Sequence, residues 1–417
     1  MRNTIGLAVS AVLALSLGTT AAFAETIKIA YIEPLSGPFA TNGNTGLAEW
    51  QYAAERLVNE KGGVLDGMKF EIVPFDNKLD SKEALIALQV AIDQGIHYFA
   101  HGLSSGIGHA LTAAVTKNNA RNPENRILYL NYSAEDPALV NDACSFWHFR
   151  WDADVDIRLD AITDAIAQQQ DIKKVFLINQ DYSFGKAIVA AAERGLAAKR
   201  PDIEIVGNEL HPIGKVKDFT PYGRKIVASG AQAVITGNWG PDMIGVGKSA
   251  IDAGYDGPIY TISAASLGIT RTFGAAGKDK IHVVSEGHLN PPASERAKEY
   301  TAGFEAKYPD YDIIQPRIAN AVEMLARAIE EVGSAEDVVS VAYKLEGMEH
   351  DSIWGGKVYI RPDNHQAIQD IHDQVHTDEG ITFPLDNSEY GTISRNVIKM
   401  ASMDAPTTCK MERPERP

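Results

Sequence analysis

The stretch KKVFLINQDYSFGKAIVAAAERGLAAKRPD, residues 173–202, decides the fold. Its first part is rich in the β-branched and aromatic residues that are typical of a buried strand. A short loop containing Gly185 follows, and an alanine-rich segment of helical composition ends the stretch. A strand, a loop and a helix in this order form the repeating unit of a parallel sheet covered by helices.

The same unit recurs in the first half of the chain. Runs typical of strands lie at 26–32, 69–77, 97–102 and 126–134, and helical segments alternate with them. The helix after the second run is predicted to be capped by Ser81. The pattern restarts near residue 150, which indicates a second sheet. The sequence therefore predicts an α/β fold with two doubly wound, pseudo-duplicated lobes.

Chain length indicates the number of domains, and net charge excludes some classes of partner. A chain of 417 residues exceeds what one core usually holds, which favours two domains. The formal net charge is −16, and no basic cluster offsets this acidic balance. Nucleic acid and anionic lipid surfaces would repel such a protein, so neither is expected as a partner.

The N-terminus has the three parts of a secretory leader. A basic start at Arg2 precedes an apolar run over 5–18, and Ala22 and Ala24 provide the small residues of a signal-peptidase site. The run is shorter than the ~20 apolar residues of a membrane-spanning helix, although a retained anchor is the alternative. We expect a cleaved signal peptide at 1–24 and export to the periplasm.

The chain has two cysteines, Cys144 and Cys409. In an oxidising compartment an isolated pair most simply forms one disulfide, and two free thiols are the alternative. A disulfide would join the C-terminal tail to the middle of the chain. Two cysteines so far apart carry no metal-binding signature.

Ligands of doubly wound sheets bind at the carboxyl ends of the strands. This rule selects loops that follow predicted strands in both halves of the chain, and a ligand that touches all of them would lie between the two domains. The selected loops are SGPFATNGN (36–44), HGLSSG (101–106), NYSAED (131–136), QDYSFG (180–185) and GNWGPD (237–242).

The loop HGLSSGIGHA, 101–110, admits several chemistries. It lacks the lysine and the glycine spacing of a phosphate-binding loop. Its G-x-S-x-G spelling matches a serine hydrolase in which Ser104 would be the nucleophile and Asp351 and His365 would be available partners. Neither partner lies in a recognisable motif, so a secreted serine hydrolase is a distant alternative.

Two histidine pairs could bind a metal. His101 and His109 flank the loop, and His372 and His376 have i,i+4 spacing. No zinc-protease motif surrounds either pair and no third ligand is evident. We therefore interpret them as solvated surface histidines and expect no metal and no cofactor.

The same loop suits the anionic head group of a small molecule. Backbone N–H groups at a helix N-terminus, together with serine hydroxyls, bind carboxylates. Aromatic side chains in the loops of the second half, Tyr182, Phe184 and Trp239, could contact the apolar part of the same ligand.

Several motifs in these loops resemble the solute-binding proteins of branched-chain (hydrophobic) amino acid ABC importers. They are KIAYIEPLSGPFATNGNTG (28–46), NEKGGVLDG (59–67), VPFDN (73–77) and DYSFG (181–185), in the order found in that family. The resemblance covers nearly the whole mature chain. The segment CSFWHFRWDA and the cysteine-bearing tail are similar to a longer subgroup of the family, whose ligands the sequence does not identify.

The resemblance implies a type I periplasmic-binding fold, in which two α/β lobes are joined by three hinge crossovers and the ligand lies in the cleft. Residues 25–149 and 286–357 would form the first lobe, and residues 150–285 and 358–417 the second. The lobes would close on the ligand, and the closed monomer would dock on the membrane permease of an ABC importer. No reaction is implied, so the protein is not expected to be an enzyme.

The resemblance also assigns residues. By position, Ser104 matches the carboxylate-binding serine of the family, and Ser105 lies beside it. Ala134 matches the residue whose backbone helps to hold the head group. Phe184 and Trp239 match aromatic positions on the second lobe.

Three positions depart from the family pattern. Ser263 stands where relatives often have an acidic residue for the ligand ammonium, Glu135 replaces a hydroxyl residue, and Asn42 replaces an aromatic wall. Glu135 could itself bind the ammonium of an amino acid with an apolar side chain. Alternatively, the ligand is an aromatic or other apolar carboxylate without an ammonium. If Glu135 is buried, it requires a cationic partner or a raised pKa.

Overall fold

The structure is a computed structural model, and it describes residues 26–264, 267–400 and 405–417. The signal peptide expected at 1–24 lies outside these residues. Within the described ranges, no helix combines the length and the apolar character needed to cross a bilayer.

The described part of the chain forms fifteen β-strands. In chain order these are β1 (Thr26–Glu33), β2 (Lys69–Asp76), β3 (Tyr98–His101), β4 (Leu128–Asn131), β5 (His148–Arg150), β6 (Lys174–Gln180), β7 (Glu204–His211), β8 (Ala233–Thr236), β9 (Ile259–Thr261), β10 (Ile281–Glu286), β11 (Glu349–Asp351), β12 (Lys357–Ile360), β13 (Ala367–Ile368), β14 (Ile371–Thr377) and β15 (Gly391–Ile398).

The same residues form eleven α-helices. These are α1 (Ala40–Leu57), α2 (Ser81–Asp93), α3 (Ser105–Arg121), α4 (Val155–Ala167), α5 (Ser183–Lys199), α6 (Thr220–Ala228), α7 (Pro241–Asp252), α8 (Ile269–Phe273), α9 (Glu295–Lys307), α10 (Arg317–Val332) and α11 (Val338–Leu345).

The first lobe is built on a five-stranded parallel sheet in the order β2-β1-β3-β4-β5. Strands β3 and β4 are buried along their full length, as expected for central strands of a parallel sheet covered on both faces. Helix α10 lays an apolar stripe on the core, and Ile318, Val322 and Ile329 of this stripe are buried, as its periodicity predicts.

The second lobe is built on a seven-stranded sheet in the order β15-β14-β10-β9-β8-β6-β7. The five strands β6 to β10 are parallel, whereas β14 runs antiparallel to β10 and β15 antiparallel to β14. The second sheet is therefore mixed, because the chain returns to it late and adds a hairpin at its edge. A small antiparallel sheet, β11-β12-β13, completes the structure.

Three crossovers join the lobes, as the resemblance implies. They lie between β5 and α4, between β10 and α9, and between β13 and β14. The tail then returns to the first lobe, where Cys144 and Cys409 form the predicted disulfide. Tyr343 of α11 also donates a hydrogen bond of 2.7 Å to the carbonyl of Pro414.

The division of the chain differs from the expected one in its last part. The sequence interpretation placed all of 358–417 in the second lobe. In the structure, Val358, Ile360 and Ala367 belong to the core of the first lobe, and the tail from residue 405 is bonded to the same lobe. The cause is that β12 pairs with both β11 and β13 in the small sheet, so that the chain crosses to the second lobe only at β14.

The N-cap of α2 also differs from the prediction. Asp80, rather than Ser81, caps the helix, because its carboxylate accepts hydrogen bonds from the N–H groups of Lys82 (2.8 Å) and Glu83 (3.1 Å). Both residue types cap helices well, and the backbone of Asp80 is extended, as a cap requires.

Candidate ligand-binding site

A cavity lies between the two lobes at the carboxyl ends of the parallel strands. All five loops selected from the sequence contribute to its wall. The space measures about 730 Å³ including its open side. The lining residues are Asn42, Gly102, Leu103, Ser104, Ser105, Ser133, Glu135, Tyr182, Phe184, Trp239, Ile262, Ser263, Val283, Ser285, Ile314, Gln315 and Arg317.

Asn42 reaches the cavity from the first turn of α1, since this helix begins at Ala40 inside the segment expected to be a loop. The close approach of α1 to the end of β1 depends on Gly43. A Cβ atom at this position would lie 2.0 Å from the carbonyl oxygen of Pro34, so a larger residue would push the helix away from the end of β1.

Ser104 and Ser105 form the N-terminus of α3. Ser104 has a φ of 82°, in the left-handed region that residues with a side chain rarely adopt, and such strain is concentrated at functional sites. Ser105 Oγ accepts a hydrogen bond of 3.1 Å from the N–H of Asp136, which leaves its own proton free to donate. The first N–H groups of a helix lack partners within the helix, so this turn can bind an anion.

A buried carboxyl group supports this turn from below. Glu33 accepts hydrogen bonds from the N–H of Leu103 at 3.1 Å and from the hydroxyl of Tyr132 at 2.7 Å, and also from the N–H of Gly102. Burial raises the pKa of Glu33 to about 8, so the group is mainly protonated at neutral pH. An anion bound to the turn therefore meets no negative charge beneath it.

The backbone of Ala134 does not face the cavity, which corrects the role expected for it. Its N–H donates to Asn131 Oδ1 at 2.7 Å, and its carbonyl accepts from Asn131 Nδ2 at 2.9 Å. Because both backbone groups are already bonded, they are not available to a ligand. Ser133 and Glu135, on either side of Ala134, line the cavity instead.

Glu135 is buried, with 6 % of its surface exposed, and the structure shows both a cationic partner and a raised pKa, either of which was expected. Arg158 Nε of α4 lies 3.3 Å from Glu135 Oε2. Loss of hydration also raises the pKa of Glu135 above its ordinary value, against the pull of Arg158 and Arg317. The ion pair joins a loop of the first lobe to a helix of the second.

This pair belongs to a larger buried cluster at the hinge. Arg158 Nη2 lies 2.7 Å from Glu286 Oε2 and also contacts Asp152. Arg317 Nη2 lies 2.5 Å from Asp152 Oδ2, and its Nη1 lies 3.2 Å from Glu286 Oε2. The two guanidinium groups lower the pKa of Glu286 to about 2, whereas burial raises the pKa of Asp152 well above its ordinary value.

Aromatic side chains of the second lobe form the opposite wall. Trp239 Nε1 donates a hydrogen bond of 3.0 Å to the hydroxyl of Tyr182, and the ring of Phe184 lies 5.7 Å from that of Tyr182. Gly185 allows this arrangement, because a Cβ there would lie 1.9 Å from the carbonyl oxygen of Gln180. The three aromatic residues line the cavity, as the strand-end rule predicts.

The lobes touch each other at Trp239, a residue of the cavity wall. The ring of Phe39, from the first lobe, lies 4.4 Å from the ring of Trp239, measured between centroids. A Cβ at Gly240 would lie 2.9 Å from Phe39 and 3.0 Å from Asn42, so this glycine permits the close approach. The structure therefore presents the two lobes in a closed arrangement.

Sequence reasoning missed several polar residues of the cavity wall. Ser285 lies near the end of β10, where the strand-end rule could have found it. Arg317 and Gln315 lie at the start of α10, and no local motif marks them. Ser263, which the alignment with the family selected, does line the cavity.

The histidines are not the solvated surface residues expected from the sequence, because three of the four are buried: His101, His372 and His376. His101 Nδ1 lies 2.8 Å from the hydroxyl of Tyr129, and burial lowers the pKa of His101 to about 3. The fourth, His109, pairs with Asp136 at 2.9 Å. Among the described residues, no group of histidine, cysteine and acidic side chains is arranged to hold a metal ion.

The residues considered as hydrolase partners of Ser104 lie elsewhere. His365 is buried against Phe149 with ring centroids 3.9 Å apart, and its Nε2 lies 2.6 Å from Glu346 Oε1. Asp351 is exposed in β11. Neither residue lines the cavity that contains Ser104.

Comparison with known proteins gives a match to a family model described as periplasmic binding protein, over residues 26–372. A protein of Brucella abortus (strain 2308) named "Leu/Ile/Val-binding protein homolog 4" is 30% identical, with 96% of each chain covered.

Solved structures agree with this match. The leucine-, isoleucine-, valine-, threonine-, and alanine-binding protein from Brucella ovis, in its closed conformation, has a TM-score of 0.81 and 27% identity, covering 94% of this chain and 100% of its own. A solute-binding protein of an ABC transporter from R. palustris, in complex with benzoate, has a TM-score of 0.76 at 17% identity, covering 92% of this chain and 99% of its own, and shows the shared fold.

Proposed function

The chain belongs to the periplasmic binding protein family, and on that premise we propose that it is the periplasmic substrate-binding component of an ABC-type amino-acid importer. It binds a branched-chain or other hydrophobic amino acid between its two lobes. It acts by binding and lobe closure, changes no covalent bond, and delivers the ligand as a monomer to a membrane permease. The leader at 1–24 directs it to the periplasm.

One observation carries the proposal, namely that an anion-binding turn and a buried carboxyl group both line a single cavity. The turn at Ser104 and Ser105 offers hydroxyl and N–H donors to the ligand carboxylate. Glu135 offers its carboxylate to the ligand ammonium. A ligand with both groups, an α-amino acid, uses both ends of this arrangement.

The remaining wall suits an apolar side chain. Tyr182, Phe184 and Trp239 provide aromatic surface, and Leu103 and Ile262 add aliphatic surface. Removal of apolar surface from water is worth roughly 25 cal/mol per Å², so this wall favours a hydrophobic side chain over a small or charged one. The named ligands of the Brucella ovis relative support the same class.

An aromatic or other apolar carboxylate is the second candidate. The R. palustris protein with benzoate has the same fold, and the three aromatic side chains could enclose a ring. Such a ligand would use the turn at Ser104 and leave Glu135 without an ammonium. A secreted hydrolase is not favoured, because His365 and Asp351 lie away from Ser104.

A thermal-shift screen of the purified protein separates the two candidates. We expect leucine-like amino acids to raise the melting temperature of the wild type, and we expect this rise to be largely lost in Glu135→Gln. The matched control is Glu305→Gln, which removes a carboxyl group outside the cavity wall. A rise with benzoate and 4-hydroxybenzoate alone would replace the proposal with the second candidate.

A further inference from the structure

The hinge cluster contains an uneven number of charges. Among the described residues, its carboxyl groups are those of Glu135, Asp152 and Glu286, and its guanidinium groups are those of Arg158 and Arg317. All five residues are buried. Unpaired charge is costly at such depth, so the cluster requires one further positive charge or one proton.

The neighbouring charged groups do not supply the missing charge. Arg150 faces Glu135 and Asp152 but is itself paired with Asp154 at 3.3 Å. Asp136, which follows Glu135 and lies 2.9 Å from His109 Nε2, adds no positive charge. These neighbours leave the cluster one positive charge short.

The pKa values of the three carboxyl groups indicate which of them can hold the proton of the cluster. Burial raises the pKa of Asp152 far above its ordinary value, and it raises that of Glu135, whereas the pKa of Glu286 falls to about 2 beside the two guanidinium groups. Glu286 is therefore ionised and one of the other two carboxyl groups holds the proton. Because Arg158 contacts both of these groups, a charge added beside one of them changes the protonation of the other.

The cluster also has, among the described residues, a buried acceptor without a hydrogen bond, on a residue that lines the cavity. Glu135 lines the cavity, and in the described structure its Oε2 accepts no hydrogen bond, although Arg158 Nε lies 3.3 Å away. A buried carboxylate oxygen normally accepts one or more hydrogen bonds. A ligand ammonium could donate this hydrogen bond and would also bring the missing positive charge.

We propose that the ammonium group of the ligand replaces the proton of this cluster, so that binding of an amino acid releases a proton to solvent. The proton leaves a cluster carboxyl group, and the ammonium keeps all of its own protons while it donates a hydrogen bond to Glu135. The inference rests on the proposed amino-acid ligand. It adds that the hinge cluster selects ligands with an ammonium group over plain carboxylates.

Isothermal titration calorimetry tests the inference with the full chain and L-leucine at pH 7, in phosphate and in Tris. These buffers differ in ionisation enthalpy, so the difference in apparent binding enthalpy counts the protons released. We expect about one proton per leucine, since the deficit is one charge. Equal enthalpies in the two buffers, with leucine bound, would overturn the inference and leave the proposed function standing.

Two variants and one analogue sharpen the test. Glu135→Gln is expected to bind leucine more weakly and to release no proton, whereas Glu305→Gln is expected to release as many protons as the wild type. The analogue 4-methylpentanoate has the side chain and carboxylate of leucine but no ammonium, and it is expected to bind at least 10-fold more weakly, or about 1.4 kcal/mol. Absence of leucine binding to the wild type in either buffer would instead reject the proposed function itself.

Discussion

The ring centroids of Phe39 and Trp239 lie 4.4 Å apart, although the two residues belong to different lobes. Phe39 precedes the first turn of α1, and Trp239 precedes α7, so each ring stands where a strand-end loop enters a helix. Of the two residues, Trp239 belongs to the cavity wall. Their contact is one that opening of the lobes would break.

Replacement of Phe39 by alanine tests whether this contact stabilises the closed form. A tilted aromatic pair is worth about 0.5–1.5 kcal/mol beyond its buried area, so Phe39→Ala should weaken leucine binding by about 2- to 10-fold. Calorimetric titration measures the change. Tyr308→Ala, which removes a half-buried ring on the same lobe outside the cavity wall, is the control and should bind as the wild type does. An unchanged affinity in Phe39→Ala would show that the contact between Phe39 and Trp239 does not stabilise the closed form.

The two serines of the anion-binding turn should respond differently to substitution. Ser104→Ala should weaken leucine binding by about 10- to 100-fold, since hydrogen bonds to charged groups are worth about 1.5–3 kcal/mol. Ser105→Ala should also lower the stability of the unliganded protein, because it leaves the buried N–H of Asp136 without an acceptor. Binding and urea unfolding of both variants measure these effects. Equal stability losses in the two variants would contradict the separation of roles.

Local patterns were sufficient to find part of the site. Phe184 and Trp239 follow their strands directly, so the strand-end rule brings them to one cavity without any knowledge of the packing. Arg317 could not be found in this way. Many strands and helices separate Arg317 from Glu135 along the chain. Its place in the cavity wall depends on how α10 packs near two of the crossovers.

Single-residue errors have a similar origin. Whether Ala134 or Ser133 faces the cavity is decided by the side chain of Asn131, whose hydrogen bonds turn the backbone of Ala134 inward. The loop position of His101 in the sequence predicts a surface residue, whereas His101 ends β3, a strand that is buried on both faces. The hairpin of β14 and β15 was not expected because the repeated strand and helix units predict parallel neighbours only.

Glu49 should make the stability of the protein depend on pH. Its carboxylate accepts hydrogen bonds from the N–H groups of Ile314 and Gln315, and burial raises its pKa from the ordinary 4.5 to about 8. Between these values the folded state holds a proton that the unfolded chain has lost, so the free energy of unfolding falls as the pH rises.

The glutamine variant of Glu49 isolates this effect. Glu49→Gln removes the titrating group and keeps an acceptor oxygen. Relative to the variant, the wild type should lose up to about 1.4 kcal/mol of unfolding free energy per pH unit across the window from about 4.5 to 8. Urea unfolding of both proteins at several pH values gives the difference. Parallel pH profiles would show that Glu49 does not titrate in this range.

The disulfide between Cys144 and Cys409 should stabilise the protein, because it closes a loop with a sequence separation of 265 residues. Replacement of both cysteines by serine should lower the free energy of unfolding by about 2–5 kcal/mol. Urea unfolding with and without a reductant measures this loss. The reductant should destabilise the wild type and leave the double variant unchanged. Identical unfolding midpoints for the oxidised wild type and the variant would contradict a stabilising role.

A crystal structure of the protein grown with L-leucine tests the central claim most directly. The account predicts leucine in the cavity between the lobes, with its carboxylate within hydrogen-bonding distance of Ser104 and Ser105 and its ammonium within hydrogen-bonding distance of Glu135 Oε2. The side chain should contact Phe184 and Trp239. A cavity that remains empty of leucine, or a bound leucine whose ammonium points away from Glu135, would contradict the account.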